Sequence, residues 1–132
     1  MSEENAKAVR QAVDAINRRD IDAYLACCTT DVELVLPNAE IEGTYQGQSG
    51  VRQFFDDIEG TGPDFRLEVE RLESIGPDSV LATIRATASG RSTGIDTGLD
   101  ITNIYDLIDG KISRVTGYTD RGAALEAAGL SG

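Results

Sequence analysis

The sequence predicts an α+β fold: three N-terminal helices with a curved, antiparallel (mixed) sheet wrapped around them as a cone, enclosing a small-molecule pocket at its open end. Three observations carry this. Apolar residues recur at helical spacing in three early segments, as in Ala6, Val9, Val13 and Ile16. After Phe65 they alternate with polar residues instead, the two-residue period of a half-buried strand. Two of those alternating runs meet at Asp109-Gly110, a dipeptide suited to the positive φ angles of a tight hairpin turn. With 132 residues the chain fits one domain, 1–132, long enough to bury a core without staples.

Taken in order, Ser2 caps a first helix that runs to about Arg18, with Glu3 and Glu4 favourably placed in its first turn. Asp20 caps a second, shorter helix whose buried face is Ile21, Tyr24, Leu25 and Cys28. Val32, Leu34 and Leu36 alternate with Glu33 and Val35 in a strand that Pro37 stops. Asn38 to Thr44 forms a loop or short hairpin, and Ser49 caps a third helix burying Val51, Phe54, Phe55 and Ile58. Gly60 to Asp64 ends that helix. The strands that follow begin with Phe65, Leu67 and Val69, then Val80 to Ala88 after the turn at Gly76-Pro77-Asp78. A glycine-rich loop from Gly90 to Gly98 leads into the hairpin of residues 101–121, and a helix from Ala123 to Ala128 ends at Gly129.

Composition narrows the function. A net charge of −11 and a pI near 4.3 argue against nucleic acid or an anionic membrane as partner, because phosphate binding needs a basic footprint. The absence of histidine removes the usual neutral-pH acid/base group and the commonest metal ligand. Cys27 and Cys28, the two cysteines, cannot build a Cys/His zinc site, and as neighbours they are poorly placed for a structural bridge. Neither a metal nor a cofactor is expected. The acidic N-terminus is not a signal peptide, and no apolar run approaches the length of a membrane span, so a cytoplasmic location is expected.

Four stretches carry a family resemblance: AVRQAVDAINRRDIDAYLACCTTDVELVLP, YQGQSGVRQFFDDI, IYDLIDGKISRVTGYTD and AALEAAGL. Together they resemble the nuclear transport factor 2-like superfamily, in its SnoaL-like and ketosteroid-isomerase-like branch. That group includes isomerases, polyketide cyclases, epoxide hydrolases, dehydratases and non-catalytic binding proteins, so the resemblance implies fold more than reaction. Most of the isomerase machinery is missing. The family's oxyanion tyrosine on the first helix falls on Ala12, its general base on Leu36, and a supporting tyrosine on Phe55. The aspartate of its oxyanion hole falls near Asn103, whose amide can donate to an oxyanion without a raised pKa. The resemblance also makes Asp120, at the end of the last strand, the counterpart of an acid/base aspartate in cyclase and epoxide-hydrolase members. The Arg-x-Asp pair of the hydrolases is not matched, since residues 83–87 read TIRAT with Arg85 on the opposite face.

These readings give a candidate site of Asp120 as acid/base with Asn103 and Tyr105 orienting a substrate oxygen. Tyr24, Leu34, Leu36, Phe55, Leu107 and Tyr118 are expected to line the pocket. Asp120 can equally be the N-cap of the terminal helix. Strand parity puts Tyr118 on the side of Asp120, whereas the family pattern puts Val115, Gly117 and Thr119 inside; the sequence leaves both open. The expected activity is cofactor-free acid/base chemistry on a small, mostly apolar, carbonyl- or epoxide-bearing molecule, with polyketide-type cyclisation the nearest family example. The alternative is a non-catalytic domain that binds a hydrophobic ligand. A homodimer through the outer sheet face is expected as well, on the apolar character of Ile104 and Ile108.

Overall fold

The structure, a computed structural model, describes residues 3–36, 44–61, 65–89 and 96–129. Readings that fall on Ser2, on Pro37 and residues 38–43, on residues 62–64 and on residues 90–95 lie outside these residues. Helix α1 (Glu3–Arg18) buries Val9, Ala12, Val13 and Ile16, four positions that return to one face every three or four residues. Arg19 then takes a φ of 58°, in the left-handed region that ends a helix, and Asp20 caps α2 (Ile21–Ala26) by accepting from the Ala23 amide at 3.0 Å. Cys28 does not belong to this helix, as the sequence suggested, but opens strand β1 (Cys28–Val35).

A two-residue strand β2 (Tyr45–Gln46) leads into α3 (Gly47–Thr61), which starts two residues before Ser49 and carries Gly60 inside its last turn. Strand β3 (Arg66–Gly76) pairs antiparallel with β4 (Ser79–Ser89), and β4 pairs with β5 (Asp96–Ile108) in unbroken register from Ser79↔Asp106 to Ser89↔Asp96. Part of the expected glycine-rich loop is therefore strand, from Asp96 onward. At the hairpin, Asp109 and Gly110 have φ of 51° and 78°, as the dipeptide predicted, and β6 (Lys111–Tyr118) returns. Helix α4 (Arg121–Ala127) closes the described chain.

The six strands lie in the order β2-β1-β6-β5-β4-β3, with β1 parallel to β6 and the other pairs antiparallel. One face of this sheet packs on the first three helices: Val80, Ala82, Ile84, Tyr105, Leu107, Ile112 and Val115 meet Val9, Val13, Tyr24 and Phe55 in a single core. Each residue buried there removes apolar surface from water at about 25 cal/mol per Å². The edge strand β3 is covered from α1. Asn17 donates to the Leu67 carbonyl and accepts its amide, both at 2.8 Å, and the Arg19 guanidinium donates to the Phe65 carbonyl at 2.8 Å.

Helix α4 sits on the opposite, outer face. Ala124 packs with Leu81 and Ile104, flanked by Ile75, Tyr118 and Leu125. Arg121 fixes its start through Glu73, Nη1 to Oε2 at 2.9 Å and Nη2 to Oε1 at 3.2 Å. Ile104, assigned from the sequence to a surface for pairing two copies, is thus covered by the chain's own last helix and only 7% exposed, whereas Ile108 at the hairpin tip is 58% exposed.

Candidate functional site

The registers separate the two ends of the cone. At one end Asn5 donates to the Pro77 carbonyl and the β5–β6 turn meets the start of α1, so that end is closed. The other end gathers the last residues of β1 and β6, the first half of β5, the end of β4 and the beginning of β3. There the inward positions change from fully buried to half-buried: Leu36, Ile101, Asn103, Phe65, Leu67 and Phe54 all retain exposure.

The inward positions of the described strands are apolar almost throughout: Leu34 on β1, Leu67 and Val69 on β3, Ile84 and Ala86 on β4, Ile101 and Leu107 on β5, Val115 on β6. Asn103 and Tyr105, two apart on β5, interrupt this surface. The Asn103 amide donates to the Tyr105 hydroxyl at 3.4 Å. Burial pushes the Tyr105 phenol up to about 12, partly offset by this hydrogen bond, so it stays protonated near neutral pH. In register, Asn103 lies between Ala82 and Gly117, and Tyr105 between Val80 and Val115.

Across from this pair stand Tyr24 of α2 and Phe55 of α3, edge to face with ring centroids 5.5 Å apart. Burial raises the Tyr24 phenol well above its usual value, and the neighbouring Cys28, Tyr105 and Cys27 groups add to the effect. The Cys28 thiol is likewise pushed up to about 12 by burial. Both cysteines are free thiols. The inner ionisable groups are thus hydrogen-bond donors rather than bases. Among the described residues no cluster of three or more Cys, Asp or Glu is placed to hold a metal ion, and no described helix is long and apolar enough to cross a membrane.

Of the residues singled out from the sequence, Asn103, Tyr105, Tyr24, Leu34, Phe55 and Leu107 come together on the inner side, with Leu36 at its rim. Two do not. Tyr118 turns outward against Leu81, Ile104 and Ala124, because Val115 and Gly117 take the inward positions of β6. Asp120 is exposed, and its Oδ1 accepts the Gly122 amide at 2.8 Å as the N-cap of α4. The structure thus shows the helix-cap arrangement that the sequence had left open for Asp120. What the sequence reading missed is the Ala82–Asn103–Gly117 row, which needs the cross-strand register to be seen.

Residues 9–115 match the model of the SnoaL-like domain family. No curated protein sequence is significantly similar to the chain. Among solved structures, TerC co-crystallized with polyporic acid is 23% identical over 96% of this chain and 99% of that one, with a TM-score of 0.78. A protein described as a SnoaL-like polyketide cyclase from Jannaschia sp. CCS1 is 16% identical over 97% of this chain and 95% of that one, at a TM-score of 0.75. RV0760c from Mycobacterium tuberculosis, in complex with estradiol-17beta-hemisuccinate, is 18% identical over 89% of this chain and 94% of that one, at 0.73. At these identities the likeness is one of fold.

Proposed function

The chain belongs to the SnoaL-like domain family, within the nuclear transport factor 2-like superfamily, and on that premise we propose that it binds a small, mostly apolar molecule at the open end of the cone. Asn103 and Tyr105 orient an oxygen of that molecule. The observation that carries the reading is the Asn103–Tyr105 pair itself, two neutral donors 3.4 Å apart on an otherwise apolar surface. A ketone, ester or quinone oxygen accepts from such donors, and in a water-poor site their fixed dipoles polarise the carbonyl. TerC with polyporic acid and RV0760c with estradiol-17beta-hemisuccinate are structural neighbours that hold oxygen-bearing molecules of this size, which supports the reading.

Carbonyl polarisation by neutral donors is the chemistry these inner residues supply. It serves a binding protein directly, and it serves a cyclase-like reaction on a substrate acidic enough to enolise without a carboxylate base. The exposed, helix-capping position of Asp120 favours the binding role. The test is an amide-shift titration of labelled protein with a panel of uncharged ketones. Saturable shifts at Asn103 and Gly117, weakened about three- to tenfold in Tyr105→Phe by loss of one hydrogen bond of about 1 kcal/mol, are the expected result. Shifts confined to the outer face or to α4 would overturn the assignment.

A further inference from the structure

Strand β3 stands last in the sheet order, so β4 pairs with one side of it and no described strand pairs with the other. Helix α1 runs antiparallel along this edge. The two are joined where Asn17 bonds to Leu67 and, at the far end, where Asn5 donates to the Pro77 carbonyl. Both backbone groups of Leu67 turn away from β4 to reach Asn17, and by the two-residue period those of Val69 turn the same way. A register shift follows between Val69 and Arg71, after which Leu72 and Ser74, opposite Ala82 and Val80, take over this orientation. Among the described residues nothing bonds to these outward groups of Val69, Leu72 and Ser74.

Ala6, Arg10 and Asn17 recur at helical spacing, so the side of α1 that reaches the edge at Asn17 also carries Arg10. A groove of about 440 Å³ runs along this side, lined by Glu3, Ala6, Lys7, Arg10, Gln11 and Asp14. Strand and helix carry charges of opposite sign. Glu68 and Glu70 are exposed on β3, and neither has an ion pair among the described residues. The same holds for Lys7 and Arg10 on α1, whereas Asp14 is tied to Arg18 at 2.8 Å. Between the two sets Val69 and Leu72 are half-buried.

A second copy of the chain suits this edge poorly. Pairing of β3 with β3 brings Glu68 and Glu70 against their equivalents, and like charges across strands destabilise. The net charge of −11 on each chain opposes the approach as well. A basic segment of another protein meets neither obstacle.

We infer that this edge docks an extended peptide segment of a partner protein, which adds a strand beside β3 between Val69 and Ser74. Basic residues at alternate positions of the segment lie beside Glu68 and Glu70. The residues between them point toward α1, where apolar ones cover Val69 and Leu72 and an acidic one meets Lys7 or Arg10. Main-chain bonds to the free groups of β3 supply affinity, and the alternation of charge supplies selection.

The probe is a blocked six-residue peptide of the order lysine, valine, lysine, glutamate, lysine, valine, compared with a blocked peptide of the same composition in which the three lysines are consecutive. Each is titrated into the labelled full chain, with amide shifts and hydrogen exchange at Val69, Leu72 and Ser74 as readout. The alternating peptide is expected to shift and protect these amides and to bind about fivefold more tightly than its rearranged counterpart. Val69→Pro deletes one outward amide at an edge position where proline is tolerated, and is expected to weaken binding about fivefold or more. Should that variant fail to fold, the exposed pair Glu68→Lys and Glu70→Lys provides the comparison, with a loss of about threefold or more at low salt. Equal binding of the two peptides, unchanged affinity in the variant that folds, or shifts confined to other parts of the chain overturns the inference. Protection of the same amides that grows with protein concentration in the absence of peptide overturns it too, since a second copy would then occupy the edge.

Discussion

Asp120 Oδ1 accepts the backbone amide of Gly122 at 2.8 Å and so caps α4 where β6 ends. Asp120→Ala leaves an amide of the first turn of α4 without its partner, at a cost of about 1 kcal/mol. Asp120→Asn keeps a good capping side chain and is expected to change stability by a few tenths at most. Urea unfolding of the two variants checks this, and ketone affinity at the inner site should be unchanged in both.

Asn17 completes the exposed edge of β3 as a neighbouring strand would, donating to and accepting from Leu67. Asn17→Ala removes both bonds from a half-buried backbone and is expected to cost about 2 kcal/mol. It also opens an unpaired strand edge, a template for association between chains. Denaturant midpoints together with light scattering on heating report the two effects separately.

Gly117 borders Asn103 on the inner face. Gly117→Val suits a strand locally but fills the floor beside the amide, so ligand binding should fall more than tenfold while stability falls by about 1–3 kcal/mol from crowding. The titration described for the ketone probes reads the first, and thermal unfolding reads the second.

The buried thiol and phenol make stability sensitive to alkali. The Cys28 thiol rises from 9.0 to about 12 and Tyr105 from 10.0 to about 12, in each case chiefly through burial. Between the unfolded and folded values the folded chain holds more protons than the unfolded one, so stability is fully present below about pH 9 and falls as pH rises toward about 12. Cys28→Ala should make the decline that begins near pH 9 shallower, as measured by urea midpoints across that range.

Much of the chain could be read in advance because the signals are local. The end of α1 at Arg18, the cap at Asp20 and the turn at Asp109-Gly110 each depend on a few adjacent residues, and each is found in the structure. The grouping of Asn103, Tyr105 and Leu107 on one side follows from the two-residue period alone. Partners across neighbouring strands were not legible in the same way. A register shift between Asp106 and Leu107 in the β5–β6 pair, and others in β1 and β3, change which residues oppose each other.

The order of elements, the α+β class and the common face of Asn103 and Tyr105 are legible from the chain alone, since periodicity, caps and turn residues act within a few positions. Long-range packing settles which face of the sheet is inner, that α4 covers Leu81 and Ile104 on the other, and that Asp120 caps a helix on that outer side. Alternation states which side chains lie together but not which side meets the helices. That choice is made by burial summed over the whole sheet, where Val80, Ala82, Ile84, Tyr105 and Val115 together outweigh the smaller apolar cluster beneath α4.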